Sequence, residues 1–364
     1  MKEKREKQIK EQQQKLLDLL QKKTREFVAK NADIAEIKLF GKMNTEGQHL
    51  RGMLLLLSYA ACSEAQEKMD SALQLAVAME FLQTSILIQD DIIDKSDMRR
   101  GRASLHKALF RDKNASFSKS ERDANTAAAL IGGMGIAYAT KLIHEICENE
   151  EASGREIVKE YCTMLVNTLH GEAMDILVPV YNGDESDKFD DKVRRELALE
   201  IAIRKTAVYS FETPIVMGIL LAGKRSEEIL WARRLGCHLG RIYQLSNDRK
   251  AVEGLQTKDD VCTDVAPYRL SYANAIALGT EKEESEKFQG ILLKENKTQR
   301  DKKWIQEHYP YDKVYTQLDE KQKESCGWAL KELNSGDCCF SPEGVAVLKQ
   351  FLKKFEGMES FENG

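Results

Sequence analysis

Along most of the chain, apolar residues return with a helical period of about 3.6, and alternating strand patterns are scarce. From Arg51 to Asp94 this period predicts two helices, split near Ser63–Asp70. A third runs from about Asn125 to Glu148, where the Gly132–Gly135 stretch permits close helix contact or a kink. The pattern resumes over 155–180, 192–222 and 227–253. Residues 1–30 read as a charged helix or a frayed arm. Segments 181–191 and 254–264 are acidic and contain glycine, which predicts loops. Residues 281–325 are nearly all charged or polar and read as a solvated insertion. After them Trp328, Leu330, Leu333, Val347, Leu348, Phe351 and Leu352 supply a last amphipathic pair. There is no internal repeat or long linker. The expectation is an all-α protein, one large helical bundle over residues 1–364.

Composition sharpens this picture at three points. Only 5 of 364 residues are proline and the first is Pro179, where average usage of about 5% predicts roughly 18. Helix breakers are therefore rare. A net charge of −4 gives no nucleic-acid footprint. The 8 cysteines contain no C-x-x-C pair, so zinc knuckles and a disulfide framework are not expected, and reduced thiols suit a cytoplasmic protein. The charged start is unlike a signal peptide, and the longest apolar runs, such as Pro214 to Ala222, fall short of the ~18 residues of a membrane span. No transmembrane segment is expected.

Candidate chemistry concentrates where the apolar stretch Leu73–Ile88 ends, in Asp90, Asp91 and Asp94, followed by Arg99-Arg100-Gly101. On a helix Asp90 and Asp94 share a face, with Asp91 beside them. Like charges at this spacing repel, and carboxylates in a last turn oppose the helix dipole. A hard cation would relieve both effects. Magnesium fits, since it takes oxygen ligands, keeps waters and is commonly bound through one or two carboxylates plus substrate phosphates. Arg99 and Arg100 could take the remaining phosphate oxygens.

These residues resemble the first aspartate-rich motif of the trans-isoprenyl diphosphate synthases, the farnesyl and geranylgeranyl diphosphate synthase family. The resemblance runs from about Gly47 to Asp264. Glu80-Phe81-Leu82-Gln83, Gly171-Glu172 with Asp175, Lys205-Thr206 through Pro214, and Tyr243-Gln244 are similar to further family segments in the same order. The resemblance implies an isoprenoid-synthase bundle, a magnesium cofactor and a homodimer. It also implies two substrates, an allylic diphosphate and isopentenyl diphosphate. By resemblance, the metal positions are Asp90, Asp91, Asp94 and Asp175, with Asp248 and Asp264 from a second acidic region. Arg99, Lys205, Thr206 and Gln244 would hold the allylic diphosphate, with Tyr243 beside them. Arg51, Gln83 and Arg100 would hold isopentenyl diphosphate. Ser85 and Ile86, the fifth and fourth residues before Asp90, would line the floor of the product pocket, with Leu82 a turn below.

Five positions depart from the family pattern. Its second Asp-Asp-x-x-Asp stands here as Asn247-Asp248 with Ala251, and an expected lysine is Asp260. Gln48 replaces a diphosphate-binding lysine, and Glu172 a glutamine. An asparagine offers a metal only a neutral oxygen, and an alanine none. Three functions follow. The first is a prenyltransferase making a farnesyl, geranylgeranyl or longer diphosphate, with Ser85 favouring the longer products. The second is a terpene-synthase-like or other-acceptor enzyme that ionises the allylic diphosphate. The third is a non-catalytic subunit that modulates an active synthase.

Overall fold

The computed structural model describes residues 2–31, 35–44, 47–63, 67–111, 120–150, 153–181, 190–257, 269–279, 282–294 and 297–356. Its elements are α1 (Lys2–Lys30), α2 (Ala35–Asn44), α3 (Leu50–Cys62), α4 (Met69–Ile93), β1 (Met98–Arg99), β2 (Arg102–Ala103), α5 (Leu105–Arg111), α6 (Glu121–Cys147), α7 (Gly154–Tyr181) and α8 (Asp191–Ala202). There follow a π-helix (Ile203–Glu212), α9 (Thr213–Leu221), α10 (Ser226–Thr257), α11 (Tyr272–Ala277), α12 (Lys282–Leu292), α13 (Gln299–His308), α14 (Tyr311–Leu333) and α15 (Pro342–Glu356). The all-α expectation holds, with one two-residue hairpin as the only sheet among the described residues. The chain divides into two compact units, residues 1–160 with 214–225, and residues 161–213 with 226–364.

In the first unit α4 is mostly apolar and buried along nearly its whole length from Ala72 to Ile88, as a helix enclosed by others is. The break between α3 and α4 falls where polar residues interrupt the period. Gly135 lets α6 approach α4 closely: a Cβ there would lie 2.2 Å from Ser85 Oγ and 2.3 Å from the Phe40 ring. The N-terminal segment is a helix, not a frayed arm. Leu20 and Thr24 are buried, Lys23 meets Asp70 at 2.7 Å, and the Phe27 ring packs edge-on against Phe81 at 5.0 Å. By length and composition α4 and α6 could each cross a membrane. The apolar window of α4 is 83% buried within the protein, whereas that of α6 is 39% buried.

The 192–222 pattern is helical throughout, as expected, with α8, the π-helix and α9 following one another directly. The predicted loop at 254–264 begins later, because α10 continues to Thr257; residues 258–268, like 182–189 of the other predicted loop, lie outside the described residues. Residues 281–325 are not solvated throughout. Phe288, Ile291, Leu292, Ile305, Tyr309, Val314 and Leu318 are buried against Leu245, Val252 and Leu255 of α10. One apolar side chain per turn suffices for this when the outer faces are charged, which is why the segment reads as polar. A reciprocal cap between Thr298 and Asp301 starts α13.

Candidate active site

In the first unit Asp90 and Asp91 occupy the last turn of α4 and Asp94 follows as its C-cap. The β1–β2 hairpin turns the chain back onto them. Its two loop residues, Arg100 and Gly101, have φ of 52° and 77°, the positive values that a two-residue hairpin of matching twist requires. Arg99 Nε thereby donates to Asp91 Oδ1 at 2.7 Å and Nη2 to Asp90 Oδ2 at 3.2 Å. Asp91 is 1% exposed. Burial pushes its carboxyl up, against the pull of the Arg99 guanidinium. Part of the compensation expected from a metal thus comes from Arg99. Asp90 and Asp94 are two half-buried carboxylates four residues apart at the helix end, a donor set that fits a magnesium ion also carrying waters and substrate phosphates.

The Gly47–Gly52 turn lies beside this hairpin, since a Cβ on Gly47 would sit 2.6 Å from Arg100 Nη2. Gln48 is exposed. His49 is left-handed at φ 47° and turns inward, its Nδ1 3.2 Å from Glu80 Oε2. Glu80 Oε1 accepts from Gly52 N at 2.8 Å, so a carboxylate from α4 caps α3. Arg51 and Gln83 are both buried. Ser85, Ile86 and Leu82 are buried too, and the Ser85 hydroxyl donates to Phe81 O at 2.9 Å. The Ser85 hydroxyl and the Phe40 ring both border Gly135.

In the second unit Lys205 and Thr206 lie on the π-helix, a rare element whose single-turn form recurs at functional sites. Gly171 of α7 packs directly on it, where a Cβ would be 2.4 Å from Lys205 N. That approach places Lys205 Nζ 2.9 Å from both Glu172 Oε2 and Asp175 Oδ2. Arg269 also donates to Asp175. Lys205 and Arg269 thus meet Glu172 and Asp175 in one cluster, in which Arg269 carries no sequence signal. Gln244 Nε2 donates to Asp248 Oδ1 at 3.0 Å and Ala273 N to Asp248 Oδ2 at 3.2 Å. Burial pushes the Asp248 carboxyl up to about 6, against these hydrogen bonds. The Tyr243 ring packs on Phe211 at 5.4 Å. Asp264 and Asp260 lie outside the described residues. Among the described residues no three His, Cys, Asp or Glu side chains converge as a metal cluster.

A sequence model of the polyprenyl synthetase family matches residues 36–309. Geranylgeranyl pyrophosphate synthase 3, chloroplastic, of Arabidopsis thaliana is 27% identical over 242 residues, 64% of this chain and 61% of that protein. Octaprenyl diphosphate synthase of Escherichia coli (strain K12) is 26% identical over 221 residues, 60% of this chain and 58% of that protein. The chain thus spans about three fifths of the length of these relatives. The crystal structure of geranylgeranyl pyrophosphate synthase from Corynebacterium glutamicum, complexed with isoprenyl diphosphate and magnesium, superposes with a TM-score of 0.78 at 21% identity. That match covers 94% of this chain and 98% of the other, and it shows a common fold. The chain belongs to the polyprenyl synthetase family.

Proposed function

We propose that this family member is a prenyltransferase that condenses isopentenyl diphosphate with an allylic diphosphate to give a farnesyl, geranylgeranyl or longer diphosphate. The observation that carries this reading is the acidic foot of α4, with Arg99 folded onto Asp90 and Asp91. In the first unit Asp90 and Asp94 hold magnesium. Asp91, turned inward, fixes Arg99 and leaves the metal to its neighbours. Bound magnesium supplies neutralisation of the leaving diphosphate. Arg51, Gln83 and Arg100 hold isopentenyl diphosphate. In the second unit Lys205 and Thr206 bind allylic diphosphate oxygens as charge builds on them, and Glu172 and Asp175 hold the Lys205 ammonium in place until then. Asp248 serves as an internal brace for Gln244.

A homodimer accompanies this reading. The exposed side of α6 is apolar, with Leu130 66% exposed beside Ala129, Gly133 and Ala137, and such a face on a poorly buried helix suits a second copy.

Purified protein given magnesium, isopentenyl diphosphate and allylic primers of each length yields an elongated diphosphate, detected by mass. D90A and D94A reduce its formation about a hundredfold or more. Absence of any elongated product with every primer sinks the proposal. Diphosphate and a hydrocarbon or alcohol released from farnesyl diphosphate alone would mark a terpene-synthase reaction instead.

A further inference from the structure

The Gly47–Gly52 turn carries a feature that the fold does not need for its own stability. Buried polar atoms without a hydrogen-bond partner here include His49 Nε2 and, on α4, the amide oxygen of Gln83, on residues 4% and 7% exposed, and a flip of that amide turns its NH2 donor to the same place. A buried polar atom left unpaired costs free energy, and in native proteins such atoms mark a place for a ligand, an ion or water. They are also related by geometry. His49 is fixed by its Nδ1 contact to Glu80, and Gln83 follows Glu80 by three residues, so both are presented on the same face of α4. The Arg100 guanidinium lies over Gly47 at the edge of this turn.

The backbone explains why His49 takes this place. With φ of 47° and ψ of 41°, it stands in the left-handed region just before the first residue of α3. That conformation sends its ring inward, while the side chain of Gln48 stays in solvent. The Glu80 carboxylate accepts the Nδ1 proton and fixes the ring orientation, as carboxylates do for functional histidines. The far nitrogen then faces away from Glu80 with no partner in the protein.

We propose that His49 is a binding residue for the diphosphate of isopentenyl diphosphate. With both ring nitrogens protonated, Nδ1–H donates to Glu80 and Nε2–H donates to a diphosphate oxygen, a contact that supplements Arg100 and offsets the missing cation at Gln48. This rests on the prenyltransferase reading and adds a residue to its second-substrate site.

Two substitutions separate the ligand contact from the structural one. An asparagine amide reaches only as far as Nδ1 and tolerates the left-handed backbone, so H49N keeps the Glu80 contact and loses the outer nitrogen. A glutamine amide reaches the outer position and keeps a donor there. Calorimetry with isopentenyl diphosphate on the full chain should show H49N weakened about tenfold or more and H49Q by much less. The melting temperature of H49N should stay that of the wild type, and Q48K added to H49N should restore affinity. Wild-type affinity in H49N, or a loss that only tracks its melting temperature, overturns the inference while the prenyltransferase reading stands. If the wild-type chain takes up no isopentenyl diphosphate, both fall together.

Discussion

Asp248 is the one aspartate left from the second acidic motif, and its surroundings make a quantitative prediction. Its carboxylate is 4% exposed, with one oxygen on Gln244 and the other on the Ala273 amide. Burial outweighs these bonds and moves the carboxyl from 3.8 to about 6. A carboxyl raised on folding keeps its proton longer in the folded chain than in the unfolded one. Below 3.8 both states are protonated and the group is neutral in its effect. Between 3.8 and about 6 the unfolded chain ionises first, so stability falls as pH rises, and above about 6 the loss is complete. The shift from 3.8 to about 6 corresponds to about 3 kcal/mol. D248N removes the titration and keeps the shape, provided that the Gln244 amide flips to offer its oxygen to the new amide group. Urea denaturation in the presence of a chelator, from pH 4 to pH 7.5, measures the difference between the two proteins. They should match near pH 4, and D248N should be the more stable by up to about 3 kcal/mol at pH 7.5. Parallel curves, or a variant that loses stability as pH rises, would refute the reasoning. With magnesium added, coordination of Asp248 would move the wild-type transition to lower pH.

Two further substitutions test the geometry. G171A puts a methyl group 2.4 Å from Lys205 N, so it should cost about 1–3 kcal/mol by thermal denaturation and weaken allylic diphosphate binding more than isopentenyl diphosphate binding. L130E places a charge on the exposed apolar face of α6 and should turn the proposed dimer into a folded monomer by light scattering. A monomeric wild type refutes the dimer.

The helices that position the first acidic motif were legible because their signals are local. Leu73–Ile88 is mostly apolar and the Ser63–Asp70 stretch breaks the period, whereas the turn at Arg100-Gly101 that returns Arg99 to α4 was seen only in the structure. The π-helix was not legible: its residues carry an ordinary helical pattern, and its packing against Gly171 is a contact 34 residues apart in sequence. The role of Glu80 was hidden for the same reason: a cap supplied by another helix leaves no mark at the capped terminus. Residues 281–325 misled because burial there rests on a narrow stripe, which composition averages away.

At the acidic foot of α4 the sequence supplies the charges but not their pairing. Three carboxylates at a helix end require positive charge, and Arg99 provides one unit of it, bonded to the most buried of the three. Asp90 and Asp94, half-buried and four residues apart, present the oxygen donors that a divalent ion carrying waters takes. The orientation of Arg99 adds a further condition. Its Nε and Nη2 face the acids, so Nη1 is the edge that can meet a phosphate oxygen. On the proposed reading Asp91 acts through Arg99, so D91N should loosen the arginine and weaken diphosphate binding by calorimetry while magnesium affinity is kept; loss of magnesium affinity would make Asp91 a metal ligand instead.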